Sequence, residues 1–160
     1  MTPEFLEALL EGRRAEAAQL LDVELPEEFP RGTRFFALRL RQMREDPSFR
    51  EWCPHVIVLD GRMIGHAGYH GPPGANANKD PESVEIGYVI EPAFRGRGYA
   101  TAAAVELLRR AEARGVKRFI ASVSPSNEPS LAIVRKLGFV QTGERMDDED
   151  GLELVFELER

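Results

Sequence analysis

The sequence predicts a single α/β domain built on a mixed sheet, and three observations support this class. A strand-like run, a glycine loop, an amphipathic helix and a second strand-like run follow one another between residues 84 and 123. Because a helix joins these two strands, we expect them to be parallel. Hairpin signals on both sides of this unit add antiparallel neighbours. The length of 160 residues suits one domain with a substantial core and is short for two.

Two or three helices are expected before the first strand. Apolar residues at helical spacing over Pro3–Glu11 and Ala15–Leu21, interrupted at Gly12, predict two short helices or one kinked helix. Two X-Pro steps within residues 25–30 indicate an extended linker, because a residue before proline avoids helical backbone angles. Thr33 is the predicted N-cap of a third helix that ends near Arg44.

A β-hairpin and a long loop come next. The runs His55–Leu59 and Arg62–Tyr69 have strand character, and Asp60-Gly61 between them is a strong hairpin turn signal. Residues 71–81 form a loop rich in Gly, Pro and Asn. Long ordered loops are often functional, so this loop is either a lid or substrate rim, or a mobile hairpin tip.

The second half of the chain carries the central strand–helix–strand unit, a last helix and a last hairpin. Apolar runs predict the strands, and a period of 3.6 residues predicts the helices. The expected elements are a strand over Val84–Ile90, a helix over Thr101–Arg114, a strand over Val116–Val123, a helix over Pro129–Leu137 and a hairpin of Phe139–Arg145 with Leu152–Leu158. The acidic turn at residues 147–150 is either a solvated tip or a patch that steers a cationic substrate.

The loop that follows the Val84–Ile90 strand has the chemistry of a phosphate cradle. Gly96 and Gly98 have no Cβ, so the backbone can approach a ligand closely there. The N–H groups that open the next helix have no partner inside the helix, and the helix dipole favours an anion at that point. Arg95 and Arg97 add positive charge.

Two well-known phosphate loops do not fit this stretch. A nucleotide P-loop requires Lys and then Ser or Thr after its last glycine, whereas Tyr99-Ala100 follows Gly98. A dinucleotide fingerprint requires a third glycine where this chain has Thr101. The stretch is therefore either another kind of phosphate loop or a tight strand-to-helix turn with two incidental arginines.

Two motifs resemble the signatures of the GNAT superfamily of N-acetyltransferases. Arg95-x-x-Gly98-x-Ala100, preceded by Glu85-Ile86-Gly87-Tyr88, resembles its acetyl-coenzyme A loop. Asn127-Glu128-Pro129-Ser130, with Lys136-Leu137-Gly138-Phe139 after it, resembles its second signature. The resemblance covers about residues 33–158 and implies a mixed, mostly antiparallel sheet whose central parallel strand pair splays at the coenzyme site, with helices on both faces. The expected organisation is one domain over 1–160, with a helical segment and linker at 1–32.

The resemblance implies transfer of an acetyl group from acetyl-coenzyme A to a primary amine by direct attack on the thioester. A subgroup similar to the ribosomal-protein-alanine N-acetyltransferases, which modify protein N-termini, implies Glu85 as the base, directly or through water, and Ser130 near the sulfur. A backbone N–H near the end of the preceding strand would bind the carbonyl oxygen. The implied coenzyme-binding residues are Val89, Ile90, Arg95, Gly96, Arg97, Gly98, Ala100, Thr101 and Asn127.

Each of these roles has an alternative. Ser130 could only satisfy a backbone group in the first helical turn, and Glu85 could be a solvated, outward-facing strand residue. Many members of the superfamily carry a tyrosine acid seven residues after the asparagine, where this chain has Val134. This departure argues against a tyrosine acid at that position. It also leaves open a sensor or regulatory domain that binds acyl-coenzyme A without catalysis.

The chemistry of the acceptor favours an amine of low pKa. Only a neutral amine attacks a thioester, and about a tenth of an α-amine with a pKa near 8 is neutral at pH 7. A lysine amine with a pKa near 10.4 is neutral in only about one molecule in 2,500. The predicted acceptor is therefore a protein N-terminus or a small-molecule amine.

Bulk properties exclude several classes of protein. The net charge of −6 argues against general affinity for nucleic acid, which depends on neutralising phosphates. No apolar run approaches the roughly 18 residues that cross a bilayer, and the first residues lack the features of a signal peptide. Cys53 stands alone, so neither a disulfide framework nor a thiol metal site is expected. The prediction is a cytoplasmic enzyme that binds neither nucleic acid nor membrane.

Two histidines share one face of a predicted strand. His66 and His70 are four residues apart, but no further residues at matching positions complete a metal site, so no metal is expected. A histidine base near the substrate is an alternative to Glu85. The oligomeric state is open, and a homodimer through the last strand or the N-terminal helices is compatible with the sequence.

Overall fold

Helices and strands alternate much as the sequence predicts. The computed structural model describes residues 1–147 and 151–160, so most of the predicted acidic turn lies outside the described residues. The helices are α1 (Pro3–Leu10), α2 (Arg14–Leu21), α3 (Arg34–Glu45), α4 (Tyr99–Glu112) and α5 (Glu128–Lys136). The strands are β1 (His55–Leu59), β2 (Arg62–Tyr69), β3 (Ser83–Ile90), β4 (Arg118–Val123), β5 (Val140–Asp147) and β6 (Gly151–Glu159). Each predicted helix and strand is confirmed, with ends that differ by no more than two residues.

Two short 3₁₀ helices are present that the sequence analysis does not predict. They span Pro47–Trp52 and Pro92–Phe94, and each begins with proline. Proline has no N–H to leave unpaired and its φ suits a first helical position. The Asp46 side chain also accepts a hydrogen bond from the Ser48 N–H at 2.9 Å, which caps the first of them.

Within the described residues, six strands form one sheet in the order β1-β2-β3-β4-β6-β5. The β3–β4 pair is parallel, and the other neighbouring pairs are antiparallel. The parallel register runs only from Ser83 opposite Arg118 to Glu85 opposite Ile120. Beyond Glu85, β3 continues along β2 and β4 continues along β6, so the two strands separate. The predicted mixed sheet with a splayed central pair is confirmed.

Helices cover both faces of this sheet. On one face α4 buries Ala104, Leu107, Leu108 and Ala111, the stripe that its sequence predicts, while Ala100 is only half-buried. The Tyr69 hydroxyl donates to the Leu107 carbonyl at 2.6 Å and fastens β2 to α4. On the other face α1, α2 and α3 form a second core around Phe5, Leu6, Phe36 and Met43. Burying each such side chain contributes about 1.5–3 kcal/mol, so both layers stabilise the sheet between them.

The predicted helix caps have different outcomes. Asn127 caps α5, since its side-chain oxygen accepts a hydrogen bond from the Ser130 N–H at 3.2 Å. Thr33 precedes α3 as predicted, but its side chain makes no capping hydrogen bond. Its backbone is already helical, which turns the hydroxyl away from the exposed N–H groups of the first turn. Among the described residues, no helix combines the length and apolarity needed to span a membrane.

Candidate active site

The glycine loop joins β3 to α4 with its backbone amides unpaired. Gly98 is the N-cap of α4 with φ +84°, and Gly96 has φ +73°. A Cβ at either glycine would have no atom within 4 Å, so the space in front of the loop is open. Across residues 1–147 and 151–160, none of the N–H groups of residues 97–101 donates to another residue. These amides and the positive end of α4 form the predicted anion cradle.

The two arginines of the loop have different surroundings. Arg95 Nε donates to the Ile90 carbonyl at 2.8 Å, which ties the loop back to the end of β3. The Arg97 guanidinium lies 5.9 Å from the centre of the Phe94 ring and remains exposed. Arg95 therefore shapes the loop, and Arg97 leaves its charge available to an anion.

A cleft of about 910 Å³ opens where β3 and β4 separate. Its walls come from β2, β3, β4, the start of α5 and the segment 29–36 that leads into α3. The residues that line the cleft include His66, His70, Gly87, Tyr88, Val89, Ser122, Asn127, Ser130 and Glu153. The cleft thus lies along β3, and the glycine loop follows the end of the same strand.

The alternation of backbone groups along β3 turns the N–H groups of Tyr88 and Ile90 toward this gap. The Glu91 N–H donates to the Ile64 carbonyl on β2, and the Glu85 carbonyl accepts from the His70 N–H. In an antiparallel pair, residues of one parity point their N–H and C=O at one neighbour and the others point away. The N–H of Ile90 therefore faces the gap, and the side chain of Val89 is 43% exposed at the cleft.

Glu85 is a fully buried carboxylate with four partners. Its Oε1 accepts a hydrogen bond from the Ser122 hydroxyl at 2.6 Å, and its Oε2 accepts one from the Ala77 N–H at 2.6 Å. His70 Nδ1 lies 3.5 Å and an Arg145 nitrogen 3.8 Å from Oε1. Burial alone would raise the pKa of Glu85, but the hydrogen bonds and positive charge of His70, Ser122 and Arg145 outweigh it and lower the pKa to about 2. Glu85 is not the solvated outward residue of the alternative interpretation.

Replacing Glu85 by Gln is expected to reduce the loss of stability in acid. The folded-state pKa of about 2 lies below the ordinary 4.5, so the ionised carboxylate stabilises the fold above pH 4.5. This stabilisation, on the order of 3 kcal/mol, is lost as the pH falls from 4.5 toward 2. Urea unfolding at several pH values in this range should show a smaller decline for E85Q than for the wild type.

Glu106→Gln is the matched control for that measurement. The Glu106 carboxylate also has a pKa lowered to about 2, by hydrogen bonds from Arg109 and Arg110, but it lies on the solvent-exposed side of α4. Solvent screens such surface pairs, so E106Q should keep nearly all of the wild-type acid dependence. An equal effect of both substitutions would show that burial does not strengthen the interactions of Glu85.

His70 stands between Glu85 and the open cleft. Its side chain is 38% exposed, and its Nδ1 is the atom nearest to Glu85. A Cβ at Gly87 would lie 3.3 Å from His70 Nε2, so the imidazole ring occupies space that glycine leaves free. The His70 backbone is held on both sides: its N–H donates to the backbone carbonyl of Glu85, and its own carbonyl accepts from the Arg39 guanidinium.

Ser130 in the first turn of α5 and Tyr88 on β3 lie next to each other at the cleft. The Ser130 hydroxyl lies beside the Tyr88 hydroxyl, and both residues line the cleft. The Ser130 N–H donates to the Asn127 side chain, which caps α5. Position 134, where many relatives carry a tyrosine, is a fully buried valine in the core between α5 and the sheet.

His66 differs from His70 although the two histidines share a strand face. The His66 ring packs against the rings of Phe29, Phe35 and Phe36, with centroids 5.5–6.1 Å apart. Burial lowers the pKa of His66 to about 4, so the imidazole is neutral at neutral pH. Within the described part of the chain, no group of three or more His, Cys, Asp or Glu residues is arranged to hold a metal ion.

The long loop at 71–81 contributes to the site through its backbone. Ala77 donates its N–H to Glu85, and the Asn76 amide donates to the Asp80 and Ser83 carbonyls at 2.8 and 3.0 Å. The loop is thus folded against the end of β3, where it closes the space behind Glu85. This position favours an ordered structural loop over a mobile hairpin tip.

Several residues of the site escape the sequence analysis. Ser122 and Arg145 contact Glu85 from β4 and β5, and Tyr88 reaches Ser130 from β3. A serine on a strand or an arginine in a hairpin belongs to no recognisable sequence motif, so neither residue could be predicted. Tyr88 does stand inside the Glu85-Ile86-Gly87-Tyr88 run, so its position was visible but its role was not.

A family model described as an acetyltransferase (GNAT) domain matches residues 8–140. The chain belongs to the GNAT acetyltransferase family. The resemblance drawn from the glycine loop and the second motif is therefore confirmed. The match includes β3, the glycine loop and α5, the elements that build the cleft of this GNAT protein.

Known proteins similar to this GNAT chain agree with its fold. The N-acetyltransferase YnaD of Bacillus subtilis (strain 168) is 30% identical over 94 residues, which is 58% of this chain and 52% of that protein. The chain spans about half the length of the curated relatives it matches. The ribosomal-protein-alanine N-acetyltransferase of Brucella melitensis superposes with a TM-score of 0.65 at 22% identity, covering 100% of this chain and 97% of that one. The self-immunity acetyltransferase MccE, solved with acetyl-CoA and AMP, superposes with a TM-score of 0.64 at 17% identity, covering 99% and 90%.

Proposed function

We propose that this protein is an acetyl-coenzyme A-dependent N-acetyltransferase that moves an acetyl group to a primary amine. The observation that carries the proposal is the row of unpaired amides at residues 97–101 beside the gap between β3 and β4. A diphosphate satisfies such amides, and a gap between strands admits a thin pantetheine arm. The complex of MccE with acetyl-CoA supports the same cosubstrate for this fold.

The coenzyme would lie along the end of β3 and the start of α4. The amides of Arg97, Gly98, Ala100 and Thr101 would bind the diphosphate, and the flexible backbone at Gly96 lets the loop wrap it. The Arg97 side chain would add charge, while Arg95 would hold the loop in shape. Asn127, at the start of α5, would form the wall beside the pantetheine arm on the cleft side.

The acetyl carbonyl would meet the backbone of β3 at the gap. Attack of the amine turns the carbonyl oxygen into an oxyanion, which needs a donor already aimed at it. The Ile90 N–H faces the gap, so it is the proposed donor, with Val89 beside it as part of the wall. Ser130 would lie at the sulfur, on the opposite side of the thioester.

The proton of the amine would leave through His70 and Glu85. A carboxylate whose pKa is about 2 binds a proton weakly near pH 7, and Glu85 is closed off from solvent. His70 is exposed to the cleft and has Glu85 behind its Nδ1. We therefore propose that Glu85, predicted as the base, acts through His70: the imidazole takes the proton and the carboxylate stabilises the imidazolium that forms. The same logic makes a carboxylate the partner of histidine in catalytic triads.

The acceptor is proposed to be an α-amine, either a protein N-terminus or a small molecule. A single imidazole suffices for an amine of which about a tenth is already neutral at pH 7, whereas a lysine would need more help. The carboxylates of Glu91 and Glu153 in the cleft wall are already paired with Arg31 at 3.0 Å and Arg145 at 2.8 Å, so the preference for an α-amine rests on its pKa. The Brucella melitensis neighbour is a ribosomal-protein-alanine N-acetyltransferase, which supports a protein amine as the acceptor.

Release of free coenzyme A thiol tests the proposal. The purified chain would be mixed with acetyl-coenzyme A and a panel of N-terminal peptides, their N-methylated forms and small amines. Thiol release that requires a free primary amine, with one equivalent of acetylated product, is the expected result. Coenzyme binding without amine-dependent release would instead support a non-catalytic sensor, the alternative that Val134 keeps open.

A further inference from the structure

Tyr88 carries a hydroxyl that its own fold leaves unsatisfied. The oxygen is buried, and although the Ser130 hydroxyl lies beside it, no group within residues 1–147 and 151–160 reaches it at hydrogen-bond geometry. Buried polar groups in native proteins are nearly always hydrogen-bonded, and an unsatisfied one is destabilising. A phenylalanine would fill the same space without this penalty. The hydroxyl therefore points to a partner that is not part of the protein.

The position of the hydroxyl identifies where that partner would lie. Tyr88 lies on β3 at the point where β3 has already separated from β4, and it lines the cleft together with Ser130. Its ring packs against the core cluster that contains the fully buried Val134. The tyrosine on β3 thus presents its hydroxyl beside the first turn of α5, the position proposed above for the coenzyme sulfur.

We propose that the Tyr88 hydroxyl donates its hydrogen bond and its proton to the departing coenzyme sulfur, in concert with Ser130. The inference rests on the acyl-transfer function proposed above. When the tetrahedral intermediate collapses, the carbon–sulfur bond breaks and its electron pair goes to sulfur. The phenol O–H bond breaks, its proton forms the S–H bond of the free thiol, and solvent returns a proton to the phenolate. The amine proton leaves separately through His70.

The surroundings of Tyr88 suit a donor. Burial raises the pKa of Tyr88, and the neighbouring Ser130 hydroxyl opposes this only in part, so the phenol keeps its proton at neutral pH. The same dry surroundings raise the proton affinity of a thiolate that forms beside it. A strand-borne tyrosine thereby supplies the group that Val134 cannot, and explains why the catalytic function does not require a tyrosine on α5.

Tyr88→Phe separates this role from a structural one. Turnover should fall by about 100-fold in kcat with little change in coenzyme affinity, because a positioned proton donor is lost. The melting temperature without coenzyme should rise by roughly 2–4 °C, because the unsatisfied hydroxyl is gone. Tyr69→Phe is the control for stability: its hydroxyl donates to the Leu107 carbonyl, so the melting temperature should fall rather than rise.

A second measurement does not depend on turnover. The thiol of bound coenzyme A would be titrated through its thiolate absorbance in wild type and Y88F. A donor beside sulfur favours the thiolate, so the thiol should titrate about one pH unit lower in the wild type. Unchanged titration, or unchanged kcat in Y88F, would overturn the role of Tyr88. If the titration differs but the wild type acetylates no amine, the hydrogen bond from Tyr88 to the coenzyme sulfur stands, while acetyl transfer and the proton-donor role both fall.

Discussion

His70→Gln is expected to lower kcat by about 100- to 1,000-fold, the range over which a positioned general base acts. Glutamine keeps the size and polarity of the side chain but cannot accept a proton from an amine. The pH dependence that the base gives to the wild-type rate should change together with the rate. Steady-state rates against pH, at saturating acetyl-coenzyme A and peptide, measure both effects.

The charged groups around His70 decide how that profile is interpreted. Glu85 lies at Nδ1 from β3, Arg39 on α3 holds the His70 carbonyl, and Arg145 on β5 reaches the far side of Glu85. His70 is one of the groups that lower the pKa of Glu85, so E85Q is measured beside H70Q to separate the two contributions to the profile. His55→Gln is the matched control, since His55 begins the edge strand β1, and its profile should match the wild type.

A double substitution distinguishes the two proposed places for the base. If Glu85 acts through His70, E85Q/H70Q should be hardly slower than H70Q alone, because both substitutions break the same path. If Glu85 takes the proton through water, H70Q should retain most of the rate and E85Q should lose it. Independent, additive losses would contradict a shared path.

Gly98→Val is expected to weaken acetyl-coenzyme A binding by at least about 100-fold. Valine is strained at φ +84°, by roughly 1–2 kcal/mol, and relieves the strain by moving the loop. Its side chain would also project into the open space in front of the loop. Losing two charge-assisted bonds from backbone N–H groups to the diphosphate, each worth about 1.5–3 kcal/mol, accounts for that factor.

Titration calorimetry with coenzyme A measures this loss directly. Gly115→Val is the matched control, because Gly115 follows the other end of α4 with φ +87° and equally open surroundings. Both variants should lose similar stability, but only G98V should lose coenzyme affinity. Equal affinities in the two variants would remove the glycine loop from the coenzyme site.

The sequence by itself determined the elements and the family. Turn residues, prolines, caps and apolar periods act over a few neighbours, so helix and strand ends could be predicted to within two residues. The glycine loop could be interpreted for the same reason, because its φ angles, its amides and the helix that follows are all local features. The two unpredicted 3₁₀ helices are short and depend on a single proline each.

Only the tertiary structure decided how the reactive groups meet. The sequence supplied Glu85 and Ser130 through motifs, but it could not show that His70, Ser122 and Arg145 surround the first or that Tyr88 faces the second. These contacts join β2, β3, β4, β5 and α5, and their distances depend on sheet order, register and the separation of β3 from β4. The pKa of a buried carboxylate is set by the groups packed around it, wherever they lie along the chain. Local sequence patterns do not encode that packing. The proton path through His70 and Glu85 could therefore be inferred only from the folded sheet, which brings the two residues together.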